Sequence, residues 1–80
     1  MEKHYSYPVI DTKATGQNIK RLREHAGVSV KEMQTLFDFE SPQAVYKWQW
    51  GKSLPTVDEF VVLSHMFATP IEEIIVIGVE

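Results

Sequence analysis

Apolar residues recur along this chain at three- and four-residue intervals, and helix-start signals punctuate the pattern. Ile19, Leu22 and Ala26 form one stripe, with Lys20, Arg21, Arg23 and Glu24 outside it. Val30, Met33, Leu36 and Phe37 form a second, Ala44, Val45 and Trp48 a third, and Val57, Phe60, Val61, Leu63, Ser64 and Phe67 a fourth. Spacing of i, i+3, i+4, i+7 gives each segment one buried helical face. Asp11 or Thr12 caps the first helix, which runs to Ala26 and stops at Gly27, the residue type that accepts a left-handed backbone. Ser29-Val30-Lys31-Glu32, Thr56-Val57-Asp58-Glu59 and Thr69-Pro70-Ile71-Glu72 have the form of capping boxes. In each, a hydroxyl accepts from a free helix N–H and a glutamate reaches back. Ser41-Pro42 offers a cap and a first-position proline without the box. Five helices are therefore predicted, the later four starting near residues 30, 42, 57 and 70. The last segment is double-natured: Ile71, Ile74 and Ile75 suit a short helix, whereas Ile74-Ile75-Val76-Ile77 also suits a strand. Tyr5, Tyr7 and Val9 alternate likewise in the arm before the first helix.

Two short helices meeting across Asp38-Phe39-Glu40 have the spacing of a helix-turn-helix, whose second helix enters the major groove. The stretch Val45-Tyr46-Lys47-Trp48-Gln49-Trp50-Gly51-Lys52-Ser53-Leu54-Pro55 resembles the motif tail of the phage repressor–Cro, or XRE-like, regulators. That tail is an aliphatic residue, two exposed positions, Trp, two more positions, then Gly-Lys-x-x-Pro. Gly16 to Arg23 resembles the family's opening helix, and the likeness covers about residues 14–75. It implies an all-α, compact five-helix, lambda-repressor-like DNA-binding domain over 11–80, with an N-terminal arm over 1–10. It implies a transcriptional regulator that binds double-stranded DNA, with a recognition helix at about 42–50. Gln43, Tyr46 and Lys47 would then face bases, since Gln pairs with adenine and Lys with guanine. Ser41, Lys52, Ser53, Lys20, Arg21 and Arg23 would touch phosphates. The turn is one residue longer than the family's, and Asp38 stands where Gly is usual. Val30 replaces a Gln that grips phosphate in many relatives, and Trp50 replaces a polar or basic residue.

Charge sharpens the picture. All eight Lys and Arg lie within residues 1–55 beside six acids, a net +2; residues 56–80 hold five acids and no base, so the chain totals −3. Such a split turns one face to a polyanion and the other away. A single recognition helix reads few bases, so a homodimer is expected, with the apolar Ile71 to Val79 segment as its surface and Tyr5 to Ile10 covering or pairing with it; the alternative is that residues 74–79 fold back on their own core and pair with Tyr5 to Ile10 as two short strands, leaving a monomer. Two alternatives share the fold: a protein-interaction module and an antitoxin-like partner. With no cysteine, thiolate metal sites and disulfides are excluded, and a cytoplasmic location is expected. No run is apolar enough for a membrane span, and the first residues carry no signal-peptide pattern. His4, His25 and His65 lack metal-ligand spacing. Asp58-Glu59 and Glu72-Glu73 lie in first helical turns, where acids favour the helix dipole. No cofactor, metal or enzymatic activity is expected.

Overall fold

A computed structural model describes residues 8–79. The elements run β1 (Pro8–Ile10), α1 (Thr12–His25), α2 (Val30–Leu36), α3 (Gln43–Gln49), α4 (Val57–Phe67), α5 (Ile71–Ile74) and β2 (Ile77–Val79). The five expected helices are present. The Asp11 carboxylate accepts from the Ala14 N–H at 2.9 Å, and Gly27 takes φ 72 beyond the end of α1. Capping boxes close at Ser29–Glu32 and Thr56–Glu59. The third expected box is absent: Thr69 donates to the Phe67 carbonyl, and α5 begins after Pro70 without a side-chain cap. Helix α3 starts one residue later than expected. Pro42 is its N-cap, while the Ser41 hydroxyl accepts from the Gln43 N–H at 3.3 Å.

The all-α expectation needs one amendment. Residues at both ends of the described chain pair as a small antiparallel sheet, Pro8↔Val79, Val9↔Gly78 and Ile10↔Ile77. The last segment thus realises both of its readings, one helical turn and then a strand. Helix α1 anchors this end. The buried Thr15 hydroxyl accepts from the Val76 N–H at 2.9 Å, and the Asp11 N–H donates to the Val76 carbonyl at 2.8 Å. The Asn18 amide donates to the Glu73 and Ile74 carbonyls at 2.9 and 3.0 Å, satisfying the end of α5.

Ile19, Met33, Val45, Trp48, Phe60, Leu63 and Ile74 form the core. Four residues assigned to inward stripes are exposed instead: Ala26, Leu36, Val57 and Val61. At 100° per residue Val61 lies about 100° round the helix from Phe60, beyond the edge of a face centred on Phe60, Leu63 and Phe67. Leu36 is displaced similarly from Met33 and Phe37. Ala26 caps the end of α1, beyond the packed layer.

Gly16 sets the approach of α1 to α3. A Cβ there would stand 2.0 Å from the Trp48 carbonyl oxygen and 3.0 Å from that of Gln49. Both obstacles are backbone, so only glycine permits this crossing. Gly16→Ala ought to favour an isolated helix by ~0.5–1 kcal/mol. Here it should instead destabilise by ~1–3 kcal/mol or more, because the helices must separate. Thermal unfolding of the variant gives the sign directly.

Hydrogen bonds from Ser29, first its backbone N–H and then its hydroxyl partnership, hold the Glu32 carboxyl below its ordinary range. A pKa lowered on folding stabilises the native state above the unfolded pKa, and the gain disappears as pH falls through the folded one. Glu32→Gln should therefore flatten the acid limb of a Tm-against-pH profile below about pH 4, and change its slope little near neutrality.

Candidate nucleic-acid interface

Helices α2 and α3 meet across a turn whose backbone is held at several points. Asp38 adopts φ 57, the left-handed region that Asp tolerates better than most residues, so the turn survives without glycine. The Phe39 N–H donates to the Gln34 carbonyl at 3.0 Å, and the Gln34 side-chain amide donates back to the Phe39 carbonyl at 3.3 Å. The rings of Phe37 and Phe39 stack at 5.3 Å, and Trp48 meets both edge-on at 5.5 and 5.7 Å. Trp48 is 3% exposed, as the expected core residue of α3. The turn thus brings a second phenylalanine against the tryptophan.

With Val45 and Trp48 turned inward, Gln43, Tyr46, Lys47 and Trp50 fall on the opposite side at i, i+3, i+4, i+7. Gln43 and Lys47 are exposed and Tyr46 is half-buried. Trp50 is 55% exposed, and its ring stacks on Tyr46 with centroids 5.7 Å apart and planes 19° from parallel. Beyond the Trp50 cap comes Gly51, φ 74, where a Cβ would stand 2.6 Å from the Lys13 α-carbon at the start of α1. Lys52 and Ser53 follow as exposed residues, their N–H groups donating to the Lys47 carbonyl.

The cations of α1 divide three ways. Lys20 lies near the α3-facing side, four residues after Gly16, and is exposed. Arg21 points the other way: it donates to Asn18 Oδ1 and borders a groove of about 430 Å³ with Ala14, Gln17, Glu73 and Val76. Arg23 turns inward and is 8% exposed. Its Nε donates to Gln49 Oε1 at 3.0 Å and its Nη1 to the Val28 carbonyl at 2.9 Å. It ties the end of α3 and the α1–α2 loop to α1, and its guanidinium is committed to the protein. Lys13 lies outside the set of cations that the sequence pattern suggests for phosphates. It stands beside the Gly51–Lys52 bend, and its i+7 spacing to Lys20 was the available signal.

Among the described residues, no group of three or more His, Asp or Glu can hold a metal ion, and no helix is long and apolar enough to cross a membrane. No protein-family profile matches the sequence, and no curated protein does. Two solved structures share the fold. The crystal structure of the DNA-binding domain of BldD aligns with TM-score 0.65 and 18% identity, covering 81% of this chain and 93% of that one. The S. venezulae BldD DNA-binding domain gives TM-score 0.65 and 18% identity, covering 81% and 96%. At this identity the likeness is one of fold: the helical arrangement is that of these DNA-binding domains.

The division of cations has a measurable consequence. Arg23→Met keeps the aliphatic stem but leaves the Val28 carbonyl and the Gln49 amide unpaired, so it should cost ~1–3 kcal/mol of stability. Lys20→Ala, at an exposed position, should change stability by no more than ~0.5 kcal/mol. Denaturant titration of both variants tests the assignment, and equal losses would contradict it.

Proposed function

We propose that this chain is a sequence-specific transcriptional regulator of the phage repressor–Cro (XRE-like) kind, binding duplex DNA with α3 in the major groove and acting in the cytoplasm. The observation that supports this best is the outward stripe of α3. Gln43 and Lys47 are exposed there on a helix seated by Trp48, in a fold shared with solved DNA-binding domains. Gln43 reads adenine, Lys47 reads guanine, and Tyr46 lies between them. Lys52, Ser53, Ser41 and Lys20 hold phosphates, and Lys13 joins them. Arg21 and Arg23 leave that set for the geometric reasons above.

The proposed regulator is a homodimer, because two half-sites give useful specificity. Its surface is smaller than the Ile71–Val79 segment. Ile74 is fully buried and Ile75 packs against the core. Ile10 and Ile77 remain, opposite each other in register and 41% and 59% exposed, so they share one apolar face of the sheet. A protein partner, as in an interaction module or an antitoxin, is the second reading. Val57 and Val61 on α4, 77% and 44% exposed, favour it.

Selection from randomised duplex DNA followed by titration tests the proposal. Gln43→Ala should relax preference at one base position by ~1–3 kcal/mol. Lys52→Ala should weaken all duplexes alike and lessen the log–log salt slope by about one. Folded protein that retains no duplex at low salt would favour the partner reading. Sedimentation at micromolar concentration should show a mass above the 9.2 kDa of one chain, and a mass that stays there removes the dimer.

A further inference from the structure

The Tyr46–Trp50 stack has no place in the contacts assigned so far. Trp50 lies on the outward stripe and is 55% exposed. Trp50 is the C-cap of α3 but keeps αR geometry, φ −84 and ψ −6, and its N–H donates to the Tyr46 carbonyl at 2.9 Å. Its side chain therefore continues the line of Gln43, Tyr46 and Lys47 instead of leaving it. Seven residues of helix separate Gln43 from Trp50, about 10 Å along the axis, or roughly three base-pair steps. Apart from its single Nε1–H donor, the indole is a carbon surface with no hydrogen-bonding pattern to match base edges. The major groove offers it one apolar group, the C5-methyl of thymine.

We infer that Trp50 is a specificity-determining residue that packs its indole on a thymine methyl, roughly three base pairs from the position read by Gln43. The inference rests on the duplex-DNA reading above. Tyr46 is the positioning residue: its ring, 5.7 Å from that of Trp50 and 19° from parallel, packs against the indole. The pairing also accounts for a tryptophan at an exposed helix end, where an unpartnered indole gains nothing from solvent.

Deoxyuridine differs from thymidine only by that methyl and keeps the hydrogen-bonding edge. Starting from the best duplex of the selection, each thymine is replaced singly by uracil and affinity is measured for the full chain. One replacement should weaken wild-type binding about fourfold, the worth of one buried methyl group. Trp50→Ala should weaken binding to the parent duplex and be indifferent to that methyl. Tyr46→Phe, which keeps the stack, should retain the discrimination, and Tyr46→Ala should reduce it. Circular dichroism and Tm of Trp50→Ala should match wild type, since the residue is outside the core. Duplex binding with no thymine–uracil difference, or a difference unchanged in Trp50→Ala, overturns the inference and leaves the duplex reading standing. Absence of any duplex binding by folded protein overturns both.

Discussion

Packing of Trp48 between the Phe37–Phe39 pair and the backbone of α1 holds the outward stripe in place. The ring makes edge contacts with both phenylalanines, and its own carbonyl lies over Gly16. Helix α3 has seven residues, too short to hold its shape in water alone. Its stability and its orientation both come from this seat. Because Val45 and Trp48 are locked inward, the 100° periodicity places Gln43, Lys47 and Trp50 outward without further instruction. The outward face of α3 is thus a by-product of core packing, and its precision is that of a buried aromatic cluster.

A chain of net charge −3 addresses a polyanion only if its cations are concentrated where they are needed. Two of the four cations expected at phosphates, Lys20, Arg21, Arg23 and Lys52, are turned away from that role. Arg23 is buried as a strut and Arg21 faces the groove beside Glu73. Lys13, Lys20, Lys47 and Lys52 remain around α3 and its exit, with Lys13 and Lys52 brought close by the Gly51 bend. The acids of α4 and α5 sit in first helical turns. They serve helix starts there and add no base-reading chemistry.

Local signals were legible in the sequence; the side of a helix on which a cation points was not. Ser29, Thr56, Asp11 and Gly27 act through neighbours within four residues, so sequence alone locates them. Asp38 in the left-handed turn is legible for the same reason. Lys20, Arg21 and Arg23 are chemically alike and nearly adjacent. Arg23 is drawn inward to Gln49, 26 residues away, and Arg21 is held by Asn18, which is itself tied to the Glu73 and Ile74 carbonyls; no local pattern carries these long-range contacts. The missing Thr69 cap and the exposed Leu36 and Val61 belong to the same class. Each offered acceptable local chemistry, and tertiary position decided otherwise. The strand pairing was foreshadowed by the alternation ending at Val9 and by the β-branched run Ile74–Ile77, but its placement goes with the bonds that Asp11 and Thr15 make to Val76.

Helix α1 is the element that joins the two working ends. One side carries Gly16 and Arg23 against α3; the other carries Thr15 and Asn18 against α5 and the residue before β2. In the proposed dimer, the sheet face of Ile10 and Ile77 and the stripe of α3 would be related through this single fourteen-residue rod. The spacing of two recognition helices, roughly 34 Å for successive turns of DNA, then depends on how rigidly α1 holds each end. Its attachments suit that demand, because beside the apolar packing of Ile19 they include contacts unable to slide. On one side is a backbone-to-backbone approach that only glycine allows, together with a two-bond arginine strut. On the other are directional hydrogen bonds to main-chain atoms of residues 73, 74 and 76. Such contacts have one register each, so a domain this small can transmit a fixed geometry from its sheet to its reading helix.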